Sequence, residues 1–312
     1  MKKLKVLIEI RSKYQEENNM LCPRCGTNRT RKNGTRTYSS YISQRFRCNE
    51  CGRRFDIPLK SIIKQATDDV DPGGIACIKS KIPIRIYGLT DVHVGANEFD
   101  IRKFNSAVKA IEKDDNARWF GNGDLLELIP PHYKINQRGQ EIPPEEQYLE
   151  FIKLVKPIAE KCLFIRGGNH DFLRSFNILD FDVCKVLSRE LGVPYYRMPG
   201  YTKVTIGGND WYLVSGHGKS GAKNGDLELD KMAAVYSDGD VFFLGHNHQL
   251  YVKPMDSLVV IDDEEVLRRR WYIRGGSFLR YAEYARYSFF PIIRTGWVTM
   301  EFKEDEINCW EN

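Results

Sequence analysis

Five short apolar runs in this chain end beside a glycine and deliver an aspartate, an asparagine or a histidine. Ile82 to Thr90 leads to Asp91-Val92-His93, and Ala117 to Phe120 leads to Gly121-Asn122-Gly123-Asp124, with Glu127 close behind. Leu163 to Ile165 leads to Gly167-Gly168-Asn169-His170-Asp171, Trp211 to Ser215 to Gly216-His217-Gly218, and Val241 to Leu244 to Gly245-His246-Asn247-His248. Brief apolar runs stopped by glycine predict buried strands. Ile101, Phe104, Val108 and Ile111 fall near helical spacing and predict a helix over 101–113, and a second helix is expected over 144–161. Alternation of such strands and helices predicts a layered α/β domain, in which ligands sit at the strand ends.

The histidines sharpen this. The chain has six, and five occupy those strand ends; only His132 lies elsewhere, where an ordinary loop role is expected. A single histidine is usually structural, but five in one local context are hard to explain that way. Nitrogen and carboxylate ligands without thiolate suit Mn²⁺, Fe, Zn²⁺ or Mg²⁺. The set is too large for one ion and right for two that share a bridge. In Asp91-Val92-His93 the two outer side chains would lie on the same side of a strand, within reach of one cation.

At 312 residues the chain has room for one large domain and one small one. No apolar run approaches the roughly 18 residues of a membrane helix. The basic start, Met1 to Lys5, is followed by an apolar stretch that Glu9 and Arg11 interrupt, so it does not read as a signal peptide. The expectation is a cytoplasmic protein whose eight cysteines are thiols or metal ligands.

Charge is uneven. Residues 1 to 60 hold 15 Lys+Arg against 5 Asp+Glu, which leaves the remainder net negative although the whole carries +5. A basic head suggests a polyanionic partner, most often nucleic acid. Within that head, Cys22-Pro23-Arg24-Cys25-Gly26 and Cys48-Asn49-Glu50-Cys51-Gly52 form two CxxC knuckles. Together they supply four thiolates to a closed, tetrahedral structural Zn²⁺ site. Asn33-Gly34 is expected to turn a hairpin between them. The residues around the knuckles, including Gln44-Arg45-Phe46-Arg47 and Arg53-Arg54-Phe55, resemble the zinc ribbons of transposase-type proteins, which bind DNA. Arg29, Arg31, Lys32, Arg36, Arg45 and Arg53 are the candidate phosphate contacts, with Tyr38 and Tyr41 available to stack on bases. Phe46 and Phe55 are expected to form the ribbon's small core. The predicted organisation is an N-terminal segment at 1–20, the ribbon at 21–56, a linker at 57–78 and the large domain at 79–312.

The order DxH, GDxxE, GNHD, GHG, GHxH over about residues 82 to 250 resembles the calcineurin-like metallophosphoesterase superfamily. That resemblance implies a four-layer α/β/β/α sandwich with a dinuclear metal site. It places Asp91, His93 and His248 on one metal, Asn169, His217 and His246 on the other, and Asp124 between them. His170 would stand near the leaving group as the catalytic histidine, with Asp171 orienting it and Glu127 supporting the ligands from behind. The chemistry implied is hydrolysis of a phosphate ester by a hydroxide generated at the metal pair, Mn²⁺ first among the candidates. The basic ribbon points to a nuclease cutting DNA or RNA. The repair nucleases of the superfamily carry a histidine where this chain has Glu127, so a phage-type or mobile-element enzyme fits better. The alternative is a phosphomonoesterase or nucleotide phosphodiesterase whose ribbon contacts proteins. A binding protein on a retired copy of the fold fits poorly with a complete ligand set. Gly275-Gly276-Ser277 is expected to form a further loop at the site, and Tyr281, Tyr284 and Tyr287 to pack rather than stack on bases.

Overall fold

A computed structural model describes residues 21–37, 42–58, 75–129, 139–219, 226–261, 263–281, 287, 292 and 294–312. His132, Tyr38, Tyr41, Tyr284 and the side chain of Arg36 lie outside the described residues. The chain divides into two compact units, Met1–Asp69 and Val70–Asn312.

In the first unit three antiparallel strands, β1 (Thr30–Thr37), β2 (Ile42–Cys48) and β3 (Arg54–Pro58), pair in the order 1-2-3. Phe46 is buried and stacks on Phe55 with ring centroids 5.6 Å apart, as expected of a miniature core. Asn33-Gly34 is not the hairpin turn. It lies inside β1, where the register with β2 shifts between Lys32 and Thr35 and Gly34 takes φ +77°. A glycine in the left-handed region accommodates the extra residue of a bulge.

The second unit starts its sheets earlier than the linker expectation allows. β4 (Ala76–Ser80) already pairs in parallel with β8 (Gly200–Ile206), so residues 76–78 belong to a strand. One sheet has five strands in the order β14 (Ile307–Glu311), β13 (Val298–Phe302), β5 (Ile84–Leu89), β6 (Ala117–Asn122), β7 (Cys162–Arg166). The other has six, in the order β11 (Leu250–Ile261), β12 (Glu264–Gly275), β10 (Val241–Leu244), β9 (Asn209–Gly216), β8, β4.

Alternation along the strands sorts side chains into layers. Ile84, Ile86, Phe120, Phe164, Val298 and Met300 of the first sheet meet Val204, Leu213, Val241, Phe243 and Ile273 of the second. Phe120 sits 5.1 Å from Phe164 and 5.2 Å from Phe243 by ring centroid, and truncating any of the three to alanine would cost about 3–5 kcal/mol. The opposite face of the first sheet, with Tyr87, Leu89, Trp119 and Ile165, is covered by helices α1 (Ile101–Lys113), α2 (Pro144–Val155) and, beyond the short α3 (Arg174–Leu179), α4 (Val183–Leu191). Helix α5 (Asp226–Val235) packs Leu229, Met232 and Ala233 on Val214, Phe242 and Tyr272 of the second sheet. The result is the expected four-layer α/β/β/α sandwich.

The helix expected over 144–161 stops at Val155, and 156–161 tightens to a 3₁₀ turn. Pro157 cannot donate to the preceding turn. No helix among the described residues is long and apolar enough to cross a membrane. β5, β6 and β7 run parallel, as do β9, β10 and β12. Their carboxyl ends therefore collect at one edge of the sandwich, and the polar loops come with them.

Candidate metal centres

In the first unit the four sulfurs of Cys22, Cys25, Cys48 and Cys51 lie within 4.8 Å of one another. Cys22 Sγ is 3.6 Å from Cys51 Sγ, and Cys25 Sγ is 3.6 Å from Cys48 Sγ. A tetrahedron with Zn–S bonds of 2.3 Å has edges of about 3.8 Å, so the thiols are already spaced for Zn²⁺. Of the candidate phosphate contacts there, Arg31, Lys32 and Arg53 are exposed; Arg29 is exposed and pairs with Glu50 at 2.8 Å, and Arg45 lies 3.8 Å from Asp56.

In the second unit the strand-end side chains converge in two sets. His93 Nε2 is 3.3 Å from His248 Nε2, and His248 Nε2 is 3.3 Å from Asp91 Oδ1. His217 Nε2 lies 3.1 Å from Asp124 Oδ2 and 3.1 Å from Asn169 Oδ1, which is itself 2.7 Å from His246 Nδ1. Asp124 Oδ2 also lies 4.0 Å from His93 Nε2, so this carboxylate stands between the sets. The structure thus brings together all seven expected ligand residues.

The backbone that aims them was not foreseen. β5 ends at Leu89, so Asp91 and His93 do not share one side of a strand. Asp91, His93, Asp124, His246 and His248 all take left-handed conformations, with φ of 50°, 53°, 51°, 70° and 58°. Left-handed turns after the strands point these side chains inward; each costs a non-glycine residue about 1 kcal/mol. Two glycines answer to close approach. A Cβ on Gly123 would lie 2.6 Å from His217 Nδ1, and one on Gly168 would collide with the Asp124 carboxylate.

Two of the inward-facing histidines are held by their other nitrogen. His93 Nδ1 lies 2.7 Å from Glu127 Oε2, and His217 Nδ1 lies 2.8 Å from the Asn122 carbonyl. This supporting layer fixes tautomer and orientation. Glu127 plays the expected part. Ser277 donates to the Asp91 carbonyl at 2.9 Å, which puts the Gly275-Gly276-Ser277 loop at the site as expected.

Asp171 does not orient His170. Its carboxylate is buried and accepts from the Gly168 amide at 2.7 Å and the Leu125 amide at 2.7 Å. One amide of its own loop and one of the Asp124 loop capture it, and it fastens the Gly167–Asp171 turn to the Asp124 loop. His170 turns instead to Glu127 and Arg174. Its Nδ1 lies 3.2 Å from the Glu127 carbonyl oxygen, and its Nε2 lies 3.0 Å from an Arg174 guanidinium nitrogen and 4.0 Å from Asp124 Oδ2. Arg174 was missed in the sequence, although its i+4 spacing from His170 was a usable signal.

The electrostatics call for cations. Burial alone would raise Asp124, but the imidazoles of His217, His170 and His93 outweigh it and hold the carboxyl well below its ordinary range. Burial would lower His217, yet Asp124 and Asp91 push it up to about 10. Two fully buried carboxylates thus draw positive charge onto a buried ring. Divalent cations would supply that charge, and the nitrogen and oxygen donors fit them.

No family model matches the chain, and no curated protein matches it. Among solved structures it is similar to a single mutant of Vps29 from Entamoeba histolytica, with 13% identity and a TM-score of 0.42 over 73% of this chain and 91% of that one. A predicted phosphoesterase from Streptococcus pneumoniae is similar at 14% identity and a TM-score of 0.35, covering 75% of this chain and 100% of that one. A hypothetical protein from Pyrococcus horikoshii is similar at 10% identity and a TM-score of 0.37, covering 73% and 87%.

Proposed function

We propose that the second unit is a calcineurin-like metallophosphoesterase using two divalent cations, and that the chain is a nuclease hydrolysing DNA or RNA phosphodiesters. The observation that carries the reaction class is Asp124 standing between two sets of nitrogen and oxygen donors, with His170 alongside. Asp91, His93 and His248 would hold one cation and Asn169, His217 and His246 the other, with Asp124 shared. Bound there, the pair supplies Lewis acidity to the phosphoryl group and lowers the pKa of a water for attack at phosphorus. The chain's own part is orientation and proton handling. Glu127 and the Asn122 carbonyl fix the rings of His93 and His217, and Asp171 ties down the loop that carries Asn169 and His170. His170 Nε2 faces the Asp124 side, where a proton can pass to or from an oxygen of the ester. Mn²⁺ is the proposed native metal, and Cys22, Cys25, Cys48 and Cys51 the proposed structural Zn²⁺ ligands.

The nuclease reading is supported by the charge of the N-terminal unit. Residues 21 to 56 hold 9 Lys+Arg and 2 Asp+Glu, and four thiolates with Zn²⁺ leave the surface cationic. A small-substrate phosphodiesterase is favoured by one feature. A cleft of about 600 Å³ at Val94 is lined by Phe99, Ile142 and Leu149, with Glu141, Glu146 and Glu150 set against Lys153 and Arg280, a mixed and slightly acidic lining that gives a polyanion no cationic track.

The deciding experiment compares Mn²⁺-dependent hydrolysis of single- and double-stranded DNA and RNA with that of nitrophenyl mono- and diesters, in the full chain and in a chain starting at Val70. Loss of the first unit should weaken polynucleotide binding and flatten its log K against log salt slope, with small-diester hydrolysis preserved. Equal binding and cutting by both chains at every salt concentration would move the small-substrate reading ahead.

A further inference from the structure

Arg174 is buried at 8% exposure, one helical turn beyond His170. One guanidinium nitrogen donates to the Glu127 carbonyl at 2.6 Å and lies 3.3 Å from Glu127 Oε1. The other lies 3.0 Å from His170 Nε2. A guanidinium has donors only. The ring nitrogen it meets must therefore accept, so His170 carries its hydrogen on Nδ1. That nitrogen faces acceptors alone, the Glu127 carbonyl at 3.2 Å and Glu127 Oε2 at 3.3 Å. The groups within hydrogen-bond distance of the ring thus agree on one tautomer, with Glu127 supplying both acceptors on the Nδ1 side and Arg174 the donor at Nε2.

We propose that Arg174 is a positioning residue of the candidate active site: by gripping Glu127 and donating to His170 Nε2, it holds the imidazole with Nε2 toward Asp124 and keeps that nitrogen an acceptor in the resting site. Three details separate this from a structural ion pair. The guanidinium divides its donors between the ring and the residue that orients the ring. Glu127 in turn holds His93, so Arg174 couples the histidine beside the reacting oxygens to a ligand histidine. The planar fork spans both partners at once, a geometry that a lysine ammonium cannot reproduce. The kinetic part of this proposal rests on the phosphoesterase reading; the tautomer does not.

The test joins a spectroscopic readout to a double-mutant cycle. In the ¹⁵N-histidine-labelled full chain loaded with diamagnetic Zn²⁺, the His170 signals are those missing from His170→Ala. They should show hydrogen on Nδ1 and a lone pair on Nε2, and the Nε2 resonance should move downfield in Arg174→Ala as it loses its donor. Hydrogen on Nε2 in the unaltered chain, or an Nε2 resonance that ignores Arg174→Ala, overturns the proposal whatever the chain hydrolyses. In kinetics, Arg174→Ala should lower kcat about 10–100-fold, the usual range for an outer partner of a site, with KM within a few-fold. Arg174→Lys should recover part of it. The Arg174→Ala/His170→Ala double variant should be no slower than His170→Ala alone, because both act through one ring. Multiplying losses in the double variant would overturn the proposal. Absence of hydrolysis by the unaltered chain on any phosphate ester would instead remove the phosphoesterase reading and leave the spectroscopic result to decide this one.

Discussion

The two candidate metal centres invert the relation between ion and fold. In the N-terminal unit the described buried residues are Cys22, Ser43, Phe46 and Cys48, so half of the interior is ligand. Three short strands and one aromatic pair bury too little apolar surface to hold a chain, and on the proposed reading a Zn²⁺ ion would take the place of a core. In the second unit Asp91, His93 and Asp124 are each 1% exposed or less, yet they hang from strands already fixed by three hydrophobic clusters. There the fold comes first, and an ion would be a guest. Thiolates suit the first task because a closed tetrahedron needs no vacancy; mixed imidazole and carboxylate suit the second because they leave room for a substrate oxygen.

The strongest test of the contrast is metal removal. Stripping Zn²⁺ with a chelator, or Cys48→Ser, should unfold residues 21–56 outright, since binding energy there is folding energy. The amide cross-peaks of that segment should collapse to random-coil positions while those of the second unit stay dispersed; a ribbon that remains folded without metal would break the comparison. Next in size, Asp124→Asn should abolish turnover and lower bound divalent metal while the second unit stays folded. Near-native turnover with two ions bound would remove Asp124 from its shared position. Glu127→Gln should cost about 10–100-fold in metal affinity or activity by loosening His93 and His170, read by titrating Mn²⁺ against rate.

The smallest effect lies away from both centres. Asp114 accepts from Arg85 at 2.6 and 2.9 Å, and this bonding holds its carboxyl below the ordinary value. A depressed carboxyl adds stability above its unfolded pKa of about 3.9 and loses it as pH falls through the folded value. Asp114→Asn should therefore cost about 1–2 kcal/mol at neutral pH. The difference from the unaltered chain should shrink below about pH 4 in denaturant titrations. A difference independent of pH would assign the cost to packing instead.

Much of this was legible in the sequence, for identifiable reasons. Glycine-stopped apolar runs placed β5, β6, β7, β9 and β10 because burial and turn chemistry are both local signals. The candidate ligand residues stood out because Asp, Asn and His cluster at strand ends, and the structure brings them together. What failed depended on partners distant in the chain. Asp171 looked like a support for its neighbour His170, but the Leu125 amide claims it from another loop. Asn33-Gly34 has the composition of a turn, and pairing with β2 made it a bulge. Arg174 and the Asn122 carbonyl carry no motif; only the packed loops show what they hold.

The left-handed ligand positions bear on how such a protein changes over generations. Five residues sit in a backbone conformation that favours glycine yet are Asp or His, and on the proposed function the metals they would hold are the reason. Relaxing them would return of order 5 kcal/mol, comparable with the net stability of a small domain. A lineage released from catalysis would therefore be rewarded for losing its ligands, with Gly or Asn spreading through those loops before any core position changed. Selection for heat resistance alone in the laboratory should reproduce that drift, and a stabilised descendant of this chain should be expected to have gone silent at the metals first.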